Sequence, residues 1–163
     1  MSLDGEQSVD ILIVDDRAEN LLALEAVLSS SKYRLIRANS GAQALDYLST
    51  HDCAVILLDV QMPIMDGFET ARRIRQQAHT REIPIIFLTA IHREDQYAQF
   101  GYEVGAVDFV SKPFDPRVMK SKVAVFVDLF RKAEKIREQE KLLSEASESR
   151  FRTIFEQSPL AIQ

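Results

Sequence analysis

Short runs of aliphatic and β-branched residues recur along the chain, and between them apolar positions return every three or four residues. The first pattern is that of a strand and the second that of one helical face. Strands are expected at Val9–Val14, Arg34–Ala38, Ala54–Leu58, Ile83–Leu88 and Ala106–Val110. Three of them are almost uniformly apolar, which suits strands covered by helices on both faces, where neither side meets water. Strands alternating with helix-period segments predict βαβ units, and so an α/β fold built on a doubly wound parallel sheet.

Local signals place the helices. Leu21, Leu24 and Leu28 share one face of the first. Ser40-Gly41-Ala42-Gln43 forms a capping box ahead of Leu45 and Leu48, and Asp66-Gly67-Phe68-Glu69 repeats the device ahead of Ala71 and Ile74. A fourth helix is expected over Arg93–Val104, less regular and containing Gly101. The fifth starts from Asp115-Pro116, an N-cap and a first-turn proline, after which neither Gly nor Pro occurs until Pro159. Run from Pro116 to Ser149, it would extend roughly 50 Å at about 1.5 Å per residue and outreach its own domain. Phe126, Leu129, Ala133, Ile136 and Leu143 keep a 3-4 spacing, but Glu140 and Ser147 stand where further apolar knobs belong. Glu134 with Arg137 and Lys141 with Glu145 suit a solvated helix. Two readings follow: a single exposed helix, or a parallel two-stranded coiled coil.

With 163 residues and 46% apolar content the chain buries a real core, one domain with an appendage. The net charge is -5 and no basic cluster occurs outside one mixed-sign stretch, which argues against a nucleic-acid partner. A single cysteine, Cys53, cannot form an internal disulfide, so a cytoplasmic setting is the default. No apolar run approaches the roughly 18 residues of a bilayer span, and the acidic N-terminus is no signal peptide, so this segment is expected to make no membrane contact. Residues 1–8 read as a tail, with Met1-Ser2-Leu3 like an expression scar or a frayed end.

The candidate chemistry lies at the strand ends. In a doubly wound sheet, ligands bind at the carboxyl edge near the point where strand order reverses. There the first strand delivers Asp15 and Asp16, the third Asp59, the fourth Thr89-Ala90 and the fifth Ser111-Lys112-Pro113. Taken singly, Asp-Asp is an ordinary turn or cap and Lys-Pro an ordinary loop. Together they bring three carboxylates, a hydroxyl and an ammonium to one edge. Crowded carboxylates call for a hard divalent cation such as Mg²⁺, which takes carboxylate and phosphate oxygens, and Lys112 adds a mobile point charge. A carboxylate nucleophile beside Mg²⁺ and lysine is the equipment of phosphoryl transfer.

These motifs resemble the receiver domain of two-component response regulators: VDD at 14–16, LLDVQMPIMDG at 57–67, LTA at 88–90 and SKPF at 111–114, in order and spacing, over about Val9–Leu129. The resemblance implies a flavodoxin-like sheet in strand order 2-1-3-4-5. It also implies Asp59 as phosphoacceptor, with Asp16, Asp59 and the backbone carbonyl of Gln61 binding Mg²⁺ and Asp15 assisting through water. Thr89 would hydrogen-bond a phosphoryl oxygen, Lys112 would pair with another, and the Lys112-Pro113 bond would be cis. The donor would be a histidine kinase or a phosphotransfer protein, and the domain regulatory rather than an enzyme in its own right. Phe109 falls at the family's aromatic switch position; as a switch it would turn inward when Thr89 moves to the phosphoryl group, remodelling the surface of the fourth helix, fifth strand and fifth helix, and otherwise it is a static core aromatic. Gln61 and Ile91 would flank the attacking water, and Ala90 is small enough to leave the pocket open.

Three side features complete the reading. His51, His79 and His92 are expected as exposed loop or helix-edge residues, and Met62 and Met65 as packing under the site loop. Residues 130–149 would be a helical linker, suited to homodimerisation, and RFRTIFEQSPLAIQ at 150–163 resembles the opening of a PAS sensor domain that stops in mid-pattern. A fragment of a longer signalling protein is expected, with a histidine kinase, a diguanylate cyclase or a phosphatase as candidate output. Two rivals are weaker: a degenerate receiver acting as a phosphate-independent interaction module, and a haloacid dehalogenase-type phosphatase, which wants an acid where Gln61 stands. A dinucleotide fold is excluded because no G-x-G-x-x-G follows the first strand.

Overall fold

The computed structural model describes residues 7–90 and 108–157. Five strands form one parallel sheet in the order β2-β1-β3-β4-β5: β1 Val9–Val14, β2 Tyr33–Ala38, β3 Val55–Asp59, β4 Ile85–Thr89 and β5 Asp108–Ser111. Each lies within about two residues of its expected position. Strand β4 starts at Ile85 rather than Ile83 because Pro84 has no N–H to give to a ladder, although its carbonyl accepts from Ile56 N at 2.9 Å. Strand β3 runs one residue further than expected, so Asp59 itself pairs in register with Leu88. The expected first residues of β5, Ala106 and Val107, and the predicted helix at Arg93–Val104 lie outside the described residues.

Side-chain alternation divides the sheet into two buried faces. Leu12, Val14, Ile56, Leu58, Ile85 and Phe87 join Ala44, Leu48, Ala71 and Ile74 of the second and third helices in one cluster. The intervening residues, Ile11, Ile13, Val55, Leu57, Ile86 and Leu88, are equally shielded from water. That double burial is the reason the central strands read as unbroken apolar runs.

The helices begin where their caps do. Helix α1 spans Ala18–Leu28, α2 Gly41–Leu48 and α3 Gly67–Gln76. Ser40 Oγ accepts from Gln43 N at 3.1 Å, but the Gln43 side chain returns to Asn39 N at 2.6 Å rather than to Ser40, so the capping box closes one residue early. Asp66 Oδ1 accepts from Glu69 N at 2.8 Å, while the Glu69 carboxylate turns to Arg72 and Arg73. The C-terminal helix, capped by Asp115 Oδ1 on Arg117 N at 2.8 Å, extends over Pro116–Gln157. It passes Ser149, where the linker was expected to end, because no helix-breaking residue intervenes. The chain divides into two compact units, Met1–Val127 and Asp128–Gln163.

A polar cluster ties the edge strand to its neighbour. Asp10 accepts two hydrogen bonds from Arg34, both 2.7 Å, and one from the Tyr47 hydroxyl at 2.8 Å. Burial works to raise the Asp10 pKa, but these three bonds outweigh it and hold the carboxyl below its usual range. A depressed folded-state pKa contributes stability above the unfolded value and loses it as pH falls through the folded one. Asp10→Asn should therefore lower Tm at neutral pH, with the gap to the wild type shrinking below about pH 4 in thermal melts across pH. A second constraint sits at Gly67, where an added Cβ would lie 2.3 Å from the Asp59 carbonyl oxygen and 2.9 Å from Val60 Cα. Gly67→Ala should cost about 1–3 kcal/mol in denaturant titration, since the obstruction is backbone that cannot step aside.

Candidate functional site

In a parallel sheet every strand points its carboxyl end to the same edge, so the residues after β1, β3, β4 and β5 meet there. Asp15 and Asp16 follow β1, Asp59 ends β3, Thr89 ends β4 and Lys112 follows β5. Asp15 is 0% and Asp59 5% exposed, Thr89 is buried, and Asp16 is open to water. Lys112 Nζ donates to Asp15 Oδ2 at 3.2 Å and to Asp59 Oδ1 at 3.0 Å, joining residues of the first, third and fifth strands through one ammonium. The backbone sets up this reach: Lys112 N donates to Thr89 O at 2.7 Å, Val60 N to Leu88 O at 3.0 Å, and Gly67 N to Val60 O at 2.9 Å. The Lys112-Pro113 peptide is cis.

The electrostatics follow from this crowding. Burial raises the Asp59 pKa; the Lys112 hydrogen bond opposes it, and the charges of Asp15 and Asp16 add to the rise. Lys112 is shifted up as well: burial disfavours its charge, but the bond to Asp59 and the carboxylates around it prevail. Asp15 is oriented from its own turn, because Arg17 N donates to Asp15 Oδ1 at 3.0 Å. One oxygen from each of Asp15, Asp16 and Asp59 falls within 4.8 Å of the others. Three carboxylates and one ammonium leave a formal charge of −3 + 1 = −2 on a donor set made only of hard oxygens. That set fits Mg²⁺ and suits no soft metal.

The strand-edge assembly thus brings together Asp15, Asp16, Asp59, Thr89 and Lys112 as the sequence suggested. Gln61 is exposed in the loop after Val60, and Met62 and Met65 are buried and half-buried in that same loop. Phe109 is half-buried and packs against the core. Its ring lies 5.4 Å from that of Phe87 at an interplanar angle of 25°, and Phe87 in turn lies 5.1 Å from Phe68 of α3. Motif reading passed over Phe68 and Phe87; their signal is an aromatic at the first turn of α3 and another inside β4. It also passed over Ile64, fully exposed at φ 70°, a left-handed conformation costly for a β-branched residue. His51 and His79 are exposed, His79 Nε2 lying 2.9 Å from the Leu48 carbonyl oxygen. Ala90 is exposed, while Ile91 and His92 lie outside the described residues.

Similar proteins share this architecture. A probable cyclic di-GMP phosphodiesterase of Vibrio cholerae is 40% identical over 124 residues, 76% of this chain and 27% of the relative. The response regulator PleD of Caulobacter vibrioides is 39% identical over 116 residues, 71% of this chain and 25% of the relative. The chain thus spans about a quarter of the length of these two relatives. Among solved structures, the receiver domain of a Pseudomonas aeruginosa sensor histidine kinase, with a magnesium ion coordinated in its active-site cleft, superposes with a TM-score of 0.67. It shares 30% identity, covering 74% of this chain and 98% of that one. Residues 11–124, from the middle of β1 into the C-terminal helix, match the family model described as the response regulator receiver domain. Because that span holds the whole carboxylate and lysine edge, the chain belongs to the response regulator receiver domain family.

Proposed function

We propose that this chain is the phosphoacceptor module of a two-component phosphorelay, in which Asp59 takes a phosphoryl group from a phosphohistidine on a histidine kinase or phosphotransfer protein. Receiver domains are regulatory, and phosphorylation on aspartate is consistent with the acidic pocket seen here. The observation that carries the assignment to Asp59 is the Lys112 ammonium, within hydrogen-bond distance of Asp59 and Asp15 together.

The chemistry balances within these residues. A carboxylate oxygen of Asp59 attacks phosphorus; the P–N bond to the imidazole breaks, its electron pair stays with nitrogen, and an acyl phosphate forms. Lys112 stays paired with the site as charge moves outward onto the phosphoryl oxygens, and the Thr89 hydroxyl donates to one of them. Mg²⁺ held by Asp16, Asp59 and the Gln61 carbonyl, with Asp15 acting through water, would supply the remaining positive charge. Phe109 is assigned the switch role: as Thr89 moves toward the new group, the Phe109 ring turns into the space released and changes the β5 face. A phenyl ring donates no hydroxyl hydrogen bond, so the change is one of packing alone.

The fold serves a larger protein. Residues 9–129 are the receiver, 130–149 a helical linker through which two copies pair, and 150–163 the start of a PAS-like sensor domain. The output module lies in the remaining length, as the size of the curated relatives suggests. The setting is cytoplasmic, with no nucleic-acid or membrane contact by this segment; among the described residues no helix is long and apolar enough to cross a membrane.

Incubation with Mg²⁺ and acetyl phosphate or phosphoramidate should give a base-labile adduct by mass spectrometry that EDTA prevents and Asp59→Ala abolishes. An adduct unchanged in Asp59→Ala would reject the assignment, and no adduct with no Mg²⁺ binding would leave a phosphate-independent interaction module. The crowding also implies a stability cost. A carboxyl whose folded pKa is raised stabilises the fold only when protonated, and that contribution is lost as pH rises through the folded value. Without Mg²⁺ at neutral pH, Asp59→Asn should raise Tm by about 2–5 °C. Adding Mg²⁺ should raise the wild-type Tm and leave the variant nearly unmoved.

A further inference from the structure

Residues 125–143 of the C-terminal helix carry exposed apolar side chains at seven-residue spacing. Leu129, Ile136 and Leu143 are spaced by seven residues and are 54%, 55% and 71% exposed. Val125, four residues before Leu129, is 56% exposed and belongs to the same stripe. Phe126 and Ala133, which the 3-4 spacing of the sequence offers as the second core position, are instead half-buried within a single chain. Successive helix residues turn by about 100°, so Val125 stands about 160° around the helix from Val123 and Val127, which are buried.

We propose that two copies of this chain pair in parallel and in register through a seam with Leu129, Ile136 and Leu143 at one core position and Val125, Lys132, Gln139 and Ala146 at the other. This rests on the dimer reading above, taken with the parallel orientation of the coiled-coil reading, and adds the register, which does not follow from it.

Charge selects this seam. In a parallel pair, the residue flanking the seam just ahead of one core position meets the residue five further along on the other copy. Here that places Lys135 against Glu140 of the second copy, twice by symmetry. The alternative seam, with Phe126, Ala133, Glu140 and Ser147 as its second core position, buries Glu140 against its twin and sets Lys132 against Arg137. Both contacts are between like charges; the proposed seam also has a like-charged layer, Lys132 against its twin, but there Asp128 of the same helix pairs with each lysine and the flanking contact is between opposite charges. The outermost positions of the proposed pair, Glu134, Lys141 and Glu148, are all charged and again seven apart.

Lys132 and Gln139 are polar core layers. Lys132 Nζ is tied to Asp128 Oδ2 of its own helix at 3.0 Å and keeps its head in water while its stem covers the seam. Such layers cost affinity and fix register, so the dimer is concentration-dependent.

The test uses the full 163-residue chain. Its own Cys53 is buried, with burial pushing the thiol up to about 12, so an introduced cysteine is the reactive one. Gln139→Cys, Glu140→Cys and Lys141→Cys are oxidised separately and run on non-reducing gels, beside sedimentation velocity of the unmodified chain. Gln139→Cys should cross-link at least about fivefold faster than the other two, as only a core position brings twin Cβ atoms within disulfide reach. Lys135→Glu should weaken the dimer about threefold or more, and Lys135→Glu combined with Glu140→Lys should restore it. Gln139→Leu should tighten it. A chain that dimerises but cross-links fastest at Glu140→Cys, or whose dimer ignores Lys135→Glu, overturns the register and leaves the dimer reading standing. A chain monomeric at every concentration removes both, and the Asp59 adduct is read independently of either.

Discussion

The structure turns on one ammonium placed between two buried carboxylates. Asp15 and Asp59 are both withdrawn from water, and an unpaired buried carboxylate is among the costliest groups a fold can hold. Like charges no more than 4.8 Å apart repel by at least roughly 3 kcal/mol at an effective dielectric of about 20, and a lysine at 3.0 Å from one of them attracts by roughly 5 on the same scale. Lys112 therefore offsets the pair it touches without neutralising the cluster. The residual negative charge tunes the site: large enough to attract a hard cation, small enough for the apo fold to stand.

The remainder of the domain holds those groups in place. Lys112 reaches the carboxylates because β5 lies beside β4 and its backbone N–H is bonded to the Thr89 carbonyl. Asp59 is held by ladder pairing to Leu88 on one side and by the turn that closes on Gly67 on the other. The Phe68, Phe87 and Phe109 rings run from α3 through β4 to β5, so the half-buried Phe109 is packed against a core aromatic. Positioning of this kind is most of what phosphoryl transfer asks of a protein.

Much of this was legible in the residues, for identifiable reasons. Strands covered on both faces have no polar side, so β1, β3 and β4 announced themselves as apolar runs, and chemistry at the carboxyl edge followed from topology. Ser40 and Asp66 marked helix starts through their own hydrogen bonds. What stayed hidden depends on relations between distant residues. The Asp10, Arg34 and Tyr47 cluster joins positions up to 37 apart, and no local pattern signals it. The conformation of Ile64 opposes its intrinsic preference and is imposed by the turn around it. Two seams share Leu129, Ile136 and Leu143 and differ by one residue at the second core position, and spacing alone does not reveal which side chains, such as Phe126, are already partly covered.

The central claim, that Asp59 is the chemically active one of the two carboxylates paired with Lys112, is tested most directly by locating the phosphoryl group. The chain is treated with phosphoramidate and Mg²⁺, the acyl phosphate is reduced with borohydride, and the converted residue is found by peptide mass spectrometry. Conversion at Asp59 alone is the predicted result. Conversion at Asp15 or Asp16, or at a residue away from this strand edge, would contradict it.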